Sequence, residues 1–121
     1  MLGSPHMQRI ASTYLLIAAA AFVFGLFGID KFANPLLWIG WMPSWMEGFL
    51  GLSRSAWLQI TGALEILFAI MLCIPIRNVR RSAVILMILH LVAVLTQTGW
   101  NDIAIRDIGL LGSLGALFLA L

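Results

Sequence analysis

Four long apolar stretches, separated by short polar or broken segments, dominate the pattern of this chain. A helix needs roughly 20 apolar residues to cross a hydrocarbon core that is ~30 Å thick, and each stretch approaches that length. We therefore predict an all-α membrane protein, an up-down bundle of four transmembrane helices in a single domain over residues 7–121. The predicted spans cover about residues 10–29, 56–76, 82–98 and 103–121.

The N-terminal residues allow two other interpretations. Residues 1–6 resemble a cloning remnant, and we set them aside in the fold argument. Residues 9–29 have the outline of a cleavable signal peptide, because Arg9 precedes a long apolar stretch. Asp30 and Lys31 stand where small residues would mark a cleavage site, so we favour an uncleaved span.

Small residues predict where the helices approach one another closely. Gly25 and Gly28 lie near the end of the first span. Gly109, Gly112 and Gly115 leave one side of the fourth span nearly smooth, as close helix packing in membranes requires.

Residues 35–54 are too interrupted by proline and glycine to form a span. Ser44-x-x-Glu47 fits a capping box and predicts a short helix from about Trp45 to Gly51. Trp38 and Trp41 precede it at helix-like spacing, so we expect this tryptophan-rich segment to lie in the membrane interface.

Composition agrees with a lipid environment. Of 121 residues, 62% are hydrophobic and only 10% are charged, which is more apolar surface than a soluble domain of this size can bury. The bilayer is therefore an expected partner. The net charge of +2 is too small to indicate binding of nucleic acid.

The distribution of charge predicts an orientation. Arg77, Arg80 and Arg81 follow the second span, on the same side as Arg9. The positive-inside rule then places both termini in the cytoplasm, in what we expect to be a prokaryotic plasma (inner) membrane. The five tryptophans, at positions 38, 41, 45, 57 and 100, fall on the outer side.

Two ionisable residues lie near the middle of the membrane. Glu65 and His90 are each about 13–14 Å from the end of their span, and the two spans form a hairpin, so these side chains can face each other. Thr61 and Gln97 share their helix faces and extend a polar seam towards the outer surface. The pair either binds a polar head group or relays protons, or it only fixes helix packing.

A second polar cluster is predicted at the outer mouth of the bundle. Asp102 and Arg106 are four residues apart and can pair on one helix face. Lys31 can neutralise Asp107 or Asp30 if the first and fourth spans are neighbours. These residues are either ordinary interfacial charges and caps or part of a binding site.

The sequence lacks the residues that several metal centres and cofactors require as ligands. With His90 as the one histidine in a span, two-histidine haem ligation within the chain is excluded, and no zinc or iron–sulfur ligand set occurs in the sequence. Cys73 is single and lies in an apolar run, which is typical of a buried, inert thiol.

Short elements in a fixed order resemble the DoxX family of small four-helix membrane proteins. The Gly28-x-x-Lys31 element and the intramembrane Glu65 match the family pattern. The resemblance implies the four-helix fold and an association with membrane redox systems, including a quinone-linked thiosulfate oxidation subunit and a relative required for methylamine dehydrogenase maturation. The resemblance covers residues 15–121, and the segments that show it are residues 24–32, 62–66 and 101–110.

The combined expectation is a redox-accessory protein that binds a quinone-like or other amphipathic molecule within the bundle. Glu65 and His90 would contact the head group, and a membrane or periplasmic partner would supply the redox centre. The alternatives are a non-enzymatic assembly or scaffold subunit, homo-oligomers included, and a small proton-coupled carrier.

Overall fold

The computed structural model describes residues 3–121 as a set of helices with short connections. The long helices are α1 (Pro5–Ala33), α3 (Arg54–Cys73), α4 (Arg77–Thr98) and α5 (Asp102–Ala120), and the short helix α2 (Pro35–Ile39) follows α1. Within residues 3–121 no strand is formed. All four long helices have the length and apolar composition needed to cross a membrane. These helices indicate an integral membrane protein, as the sequence predicts.

Side-chain caps fix several of the helix ends. The hydroxyl of Ser4 accepts a hydrogen bond from the amide of Met7. Helix α1 therefore begins within residues 1–6, the stretch that resembles a cloning remnant. Residues 1 and 2 of that segment lie outside the described residues. The hydroxyl of Ser53 caps α3, and the side-chain oxygen of Asn101 accepts from Ala104 at the start of α5.

Three helix ends lie some residues away from the limits predicted for the spans, each for a local reason. Helix α1 continues through Ala33, so Asp30 and Lys31 belong to the helix and do not follow it. Helix α3 ends at Cys73 because Pro75 disfavours helical backbone at the residue before it. Helix α4 already begins at Arg77, so the arginines that the sequence places between the second and third spans lie in its first turns.

The prediction of one short helix from about Trp45 to Gly51 is wrong. Two 3-10 turns, Ser44–Met46 and Phe49–Gly51, replace it. Gly48 lies between them at φ +82°, in the left-handed region that interrupts a helix. The Glu47 carboxylate does not complete a capping box, because it accepts from the backbone amide of Arg54 at 3.0 Å.

The long helices pack in a closed ring. Helix α1 packs most extensively on α3, α3 packs on α4, α4 packs on α5, and α5 returns to α1. Short connections such as residues 74–76 make successive helices antiparallel. Fully buried apolar side chains fill the centre of this bundle: Phe24, Leu72, Met87, Leu114 and Leu117.

The glycines divide into two groups. A Cβ at Gly28 would stand 2.6 Å from the carbonyl oxygen of Gly62, so these two glycines mark a close approach of α1 and α3. Around Gly109, Gly112 and Gly115 of α5 a Cβ would meet nothing within 4 Å. The smooth side of α5 therefore does not receive a neighbouring helix within the described part of this chain.

Candidate functional site

A buried ion pair links α1 to α3. The Lys31 ammonium donates to Oε1 of Glu65, and the two side chains are only 10% and 4% exposed. Burying either charge alone would be costly, so pairing is the condition under which both can remain in an apolar interior. The structure therefore builds a charged but paired centre inside the bundle.

The close approach of α1 and α3 explains how the pair forms. Side chains on a helix tilt towards its N-terminus, which aims the Lys31 stem inwards along α1. A Cβ at Gly62 would stand 3.2 Å from the Cβ of Lys31, so the absence of a side chain at Gly62 leaves room for that stem. Gly28 and Lys31 are three residues apart on α1, and Gly62 and Glu65 are three apart on α3.

His90 approaches the same carboxylate from α4. Its Nε2 lies 3.6 Å from Oε1 of Glu65, so the facing arrangement predicted for the hairpin is present, at a separation beyond a direct hydrogen bond. The rings of Phe24 and Phe68 flank the imidazole, with centroid separations of 6.3 Å and 6.1 Å. Aromatic side chains thus hold the imidazole beside the ion pair.

Helix α5 contributes a second charged pair. Nη2 of Arg106 lies 3.3 Å from Oδ1 of Asp107, whose side chain is 3% exposed. The Arg106 guanidinium also stacks 4.7 Å above the ring of Phe27. Asp107 lines the same cavity as Lys31 and His90. All four long helices therefore contribute to one polar cluster.

A cavity of about 310 Å³ adjoins this cluster. Its lining is mostly apolar and aromatic, with Lys31, Glu65 and His90 among its polar residues. Trp38, Trp41 and other residues of the tryptophan-rich segment line it as well. The residues of this segment that line the cavity are Trp38, Trp41, Met42, Pro43, Trp45 and Met46.

The tryptophan-rich segment is attached to α1 by side-chain contacts. The indole Nε1–H of Trp38 donates to Oδ2 of Asp30 at 2.7 Å, and Asn34 donates to the other carboxylate oxygen at 2.6 Å. The Lys31 ammonium lies 5.0 Å from the centroid of the Trp38 ring. Trp38 therefore connects this segment to the buried ion pair.

Most of the sequence-predicted residues line the cavity. Thr61 and Gln97 do so, with the Thr61 hydroxyl donating to Leu58 and the Gln97 amide donating to Thr96. Asp102 is different, because it is exposed at the start of α5 and outside the lining. Arg106 pairs with Asp107, its sequence neighbour, and not with Asp102 as predicted.

Sequence reasoning missed two features of the site. It expected Lys31 to neutralise Asp107 or Asp30, whereas the ion pair joins Lys31 to Glu65. The signal was present in the equal spacing of Gly28 to Lys31 and of Gly62 to Glu65. It also missed Met42, Met46 and the tryptophans as cavity lining, for which the pattern gives no local signal.

Within the described residues, no group of three or more His, Cys, Asp or Glu side chains is placed to hold a metal ion. Phenylalanine, tryptophan and methionine side chains surround much of the cavity instead. A mostly apolar, aromatic cavity with a few polar groups is the lining common to sites that bind small organic molecules.

The fold and the site together define a class, a small integral membrane protein with an interior charged cluster beside an apolar cavity. Residues 19–99 match the family model of a domain of unknown function, DUF8561, and the chain belongs to that family. The matched region contains Lys31, Glu65 and His90 and ends before α5. No curated protein and no solved structure matches the chain.

Proposed function

We propose that this protein binds a small amphipathic molecule with a quinone-like head group inside the bundle and serves a membrane redox system as an accessory subunit. The tryptophan-rich segment would lie in the outer interface, over the mouth of the cavity, because tryptophan favours that region of a bilayer. The observation that carries the proposal is the apolar cavity of about 310 Å³ beside the cluster of Lys31, Glu65 and His90.

The charge balance of the cluster favours a neutral head group. Lys31 is paired with Glu65 and Arg106 with Asp107, so the formal charges cancel while His90 is neutral. In an interior of low dielectric constant, a ligand with a net charge would be left without a counter-ion. A quinone is neutral and amphipathic, which meets this requirement.

The donors of the cluster suit carbonyl oxygens. An ammonium group has three N–H donors, and the ion pair to Glu65 uses one donor of Lys31. His90 and Gln97, which also line the cavity, can each donate a hydrogen bond. A head group with two carbonyl oxygens could therefore accept from this cluster without disturbing the ion pair.

The size of the cavity limits how much of the ligand it can enclose. Cavities that bind small molecules commonly measure about 300–1,000 Å³, and this one is at the lower limit of that range. We expect it to hold the head group and the beginning of a tail, with the remaining tail among lipid chains.

The redox-accessory part of the proposal rests on the resemblance to the DoxX family. A bound quinone carries redox chemistry itself, and a partner protein would supply the electrons. This chain's residues would orient the head group and exclude water from it.

The test is mass spectrometry of lipid extracts from purified protein, scored for bound quinone per chain. We expect near-stoichiometric quinone in the wild type and a loss of about tenfold in Glu65→Gln, since a misplaced hydrogen-bonding group costs on the order of 1–2 kcal/mol of binding. Glu47→Gln is the matched control, because Glu47 is exposed and outside the cavity lining. It should retain quinone as the wild type does.

A second variant separates binding from folding. Ala93→Phe fills part of the cavity from α4 without altering the charged pairs, so it should lose quinone while remaining folded. A well-folded wild type without quinone would contradict the proposal. It would favour the scaffold alternative, which the open glycine side of α5 supports as a surface for a second copy or another membrane protein.

A further inference from the structure

Arginine side chains gather at one end of the bundle. Four of the seven basic residues of the chain are there, Arg9 on α1 and Arg77, Arg80 and Arg81 at the start of α4. Arg80 reaches Tyr14 on α1 and Arg81 reaches Phe118 near the end of α5, so three helices meet at this end. The acidic residues lie elsewhere along the chain: Asp30, Glu47, Glu65, Asp102 and Asp107.

Two of these arginines are held in position by the fold. Nε of Arg80 donates to the carbonyl oxygen of Leu72 at 3.0 Å, and its guanidinium lies 5.8 Å from the centroid of the Tyr14 ring. The Arg81 guanidinium stacks 4.5 Å above the ring of Phe118. Because the Leu72 bond uses Nε, the terminal nitrogens of Arg80 keep the fork geometry that suits an anion with several oxygens.

We propose that this arginine end binds the head-group phosphate of an anionic phospholipid. Guanidinium groups recognise phosphate through paired hydrogen bonds, and an anionic leaflet attracts basic residues next to a transmembrane helix. Exposed apolar side chains stand beside the arginines, with Ile76 54% and Leu119 86% exposed. These apolar neighbours favour a phosphate that carries acyl chains over free phosphate.

The experiment measures lipid retention by native mass spectrometry on the full chain, with phosphatidylglycerol and phosphatidylcholine supplied at equal concentration. We expect the wild type to retain phosphatidylglycerol selectively. One basic residue near an anionic surface strengthens lipid binding about fivefold. The loss of two such residues in Arg80→Gln/Arg81→Gln should therefore lower the retention of phosphatidylglycerol about 30-fold. The control Arg54→Gln removes an arginine that lies at the start of α3 and should leave retention unchanged.

A single variant keeps the proposal testable if the double variant does not fold. Arg77 is exposed, so Arg77→Gln should fold normally and lower the retention of phosphatidylglycerol about fivefold. Equal retention of the two lipids by the wild type would overturn the proposal. Displacement of phosphatidylglycerol by inorganic phosphate at matched ionic strength would overturn the assignment to a lipid.

Discussion

At the scale of single residues, the Lys31–Glu65 ion pair sets the character of the interior. Each charge lies where an unpaired charge would be strongly disfavoured, and His90 stands 3.6 Å from the same carboxylate oxygen. A packing role and a binding role both require this pair to be intact. The pair therefore has to be tested by removing its members separately and together.

The first prediction at this scale concerns stability. Lys31→Met leaves the Glu65 carboxylate buried without a cation, and it should lower the free energy of unfolding by about 3–5 kcal/mol. Lys31→Met/Glu65→Leu removes both charges and should recover most of that loss. Reversible unfolding in mixed detergent micelles gives both values. The single variant Glu65→Leu, measured in the same way, completes the cycle, and a double variant as unstable as the sum of Lys31→Met and Glu65→Leu would show that the charges are not coupled.

Only part of this cluster could be predicted residue by residue. The facing of Glu65 and His90 follows from their equal depth in a helical hairpin, and sequence spacing was enough for it. The partner of Lys31 depends on α1 continuing to Ala33 and on the space left beside Gly62. The equal spacing of Gly28 to Lys31 and of Gly62 to Glu65 is a sequence signal for the pair, whereas the length of α1 and the space beside Gly62 are decided by the packing of the two helices.

At the scale of elements, the contact between α1 and α3 positions the site. Gly28 and Gly62 allow the two backbones to approach, and Lys31 and Glu65 lie one helical turn from those glycines. Separating these helices would move the lysine stem and the carboxylate apart. Helix packing and the polar cluster are therefore linked through the same surface.

Substitution of Gly28 tests this link. In Gly28→Ala the new Cβ would stand 2.6 Å from the Gly62 carbonyl oxygen, a backbone atom, so the helices must shift. We expect a loss of about 1–3 kcal/mol in thermal or denaturant unfolding. Gly112→Ala is the matched control, since a Cβ there meets nothing within 4 Å. Equal losses in the two variants would contradict the assigned role of Gly28.

At the scale of the whole molecule, the charges are distributed unequally between the two ends. One end carries the cluster of arginines, and the other carries the tryptophan-rich segment attached through Asp30 and Trp38. The positive-inside rule applied to this asymmetry predicts one orientation, with the arginines on the cytoplasmic side.

Labelling of single cysteines tests the orientation. In a Cys73→Ser background, Asn78→Cys lies at the arginine end and Trp100→Cys lies at the opposite end, where Trp100 is 77% exposed. A membrane-impermeant maleimide applied to intact spheroplasts should label Trp100→Cys and should label Asn78→Cys only after lysis. The reverse pattern would contradict the proposed topology.

The sequence by itself determined the four apolar helices, because the length and composition of each stretch are local properties. An apolar stretch of that length can cross a bilayer as a helix, which satisfies its own backbone hydrogen bonds. The sequence also determined which residues are chemically capable of forming a site. Tertiary structure decided the contacts between elements: Lys31 with Glu65, and the tryptophan-rich segment with the cavity. These contacts depend on the closeness and rotation of packed helices, which residues distant in sequence set jointly.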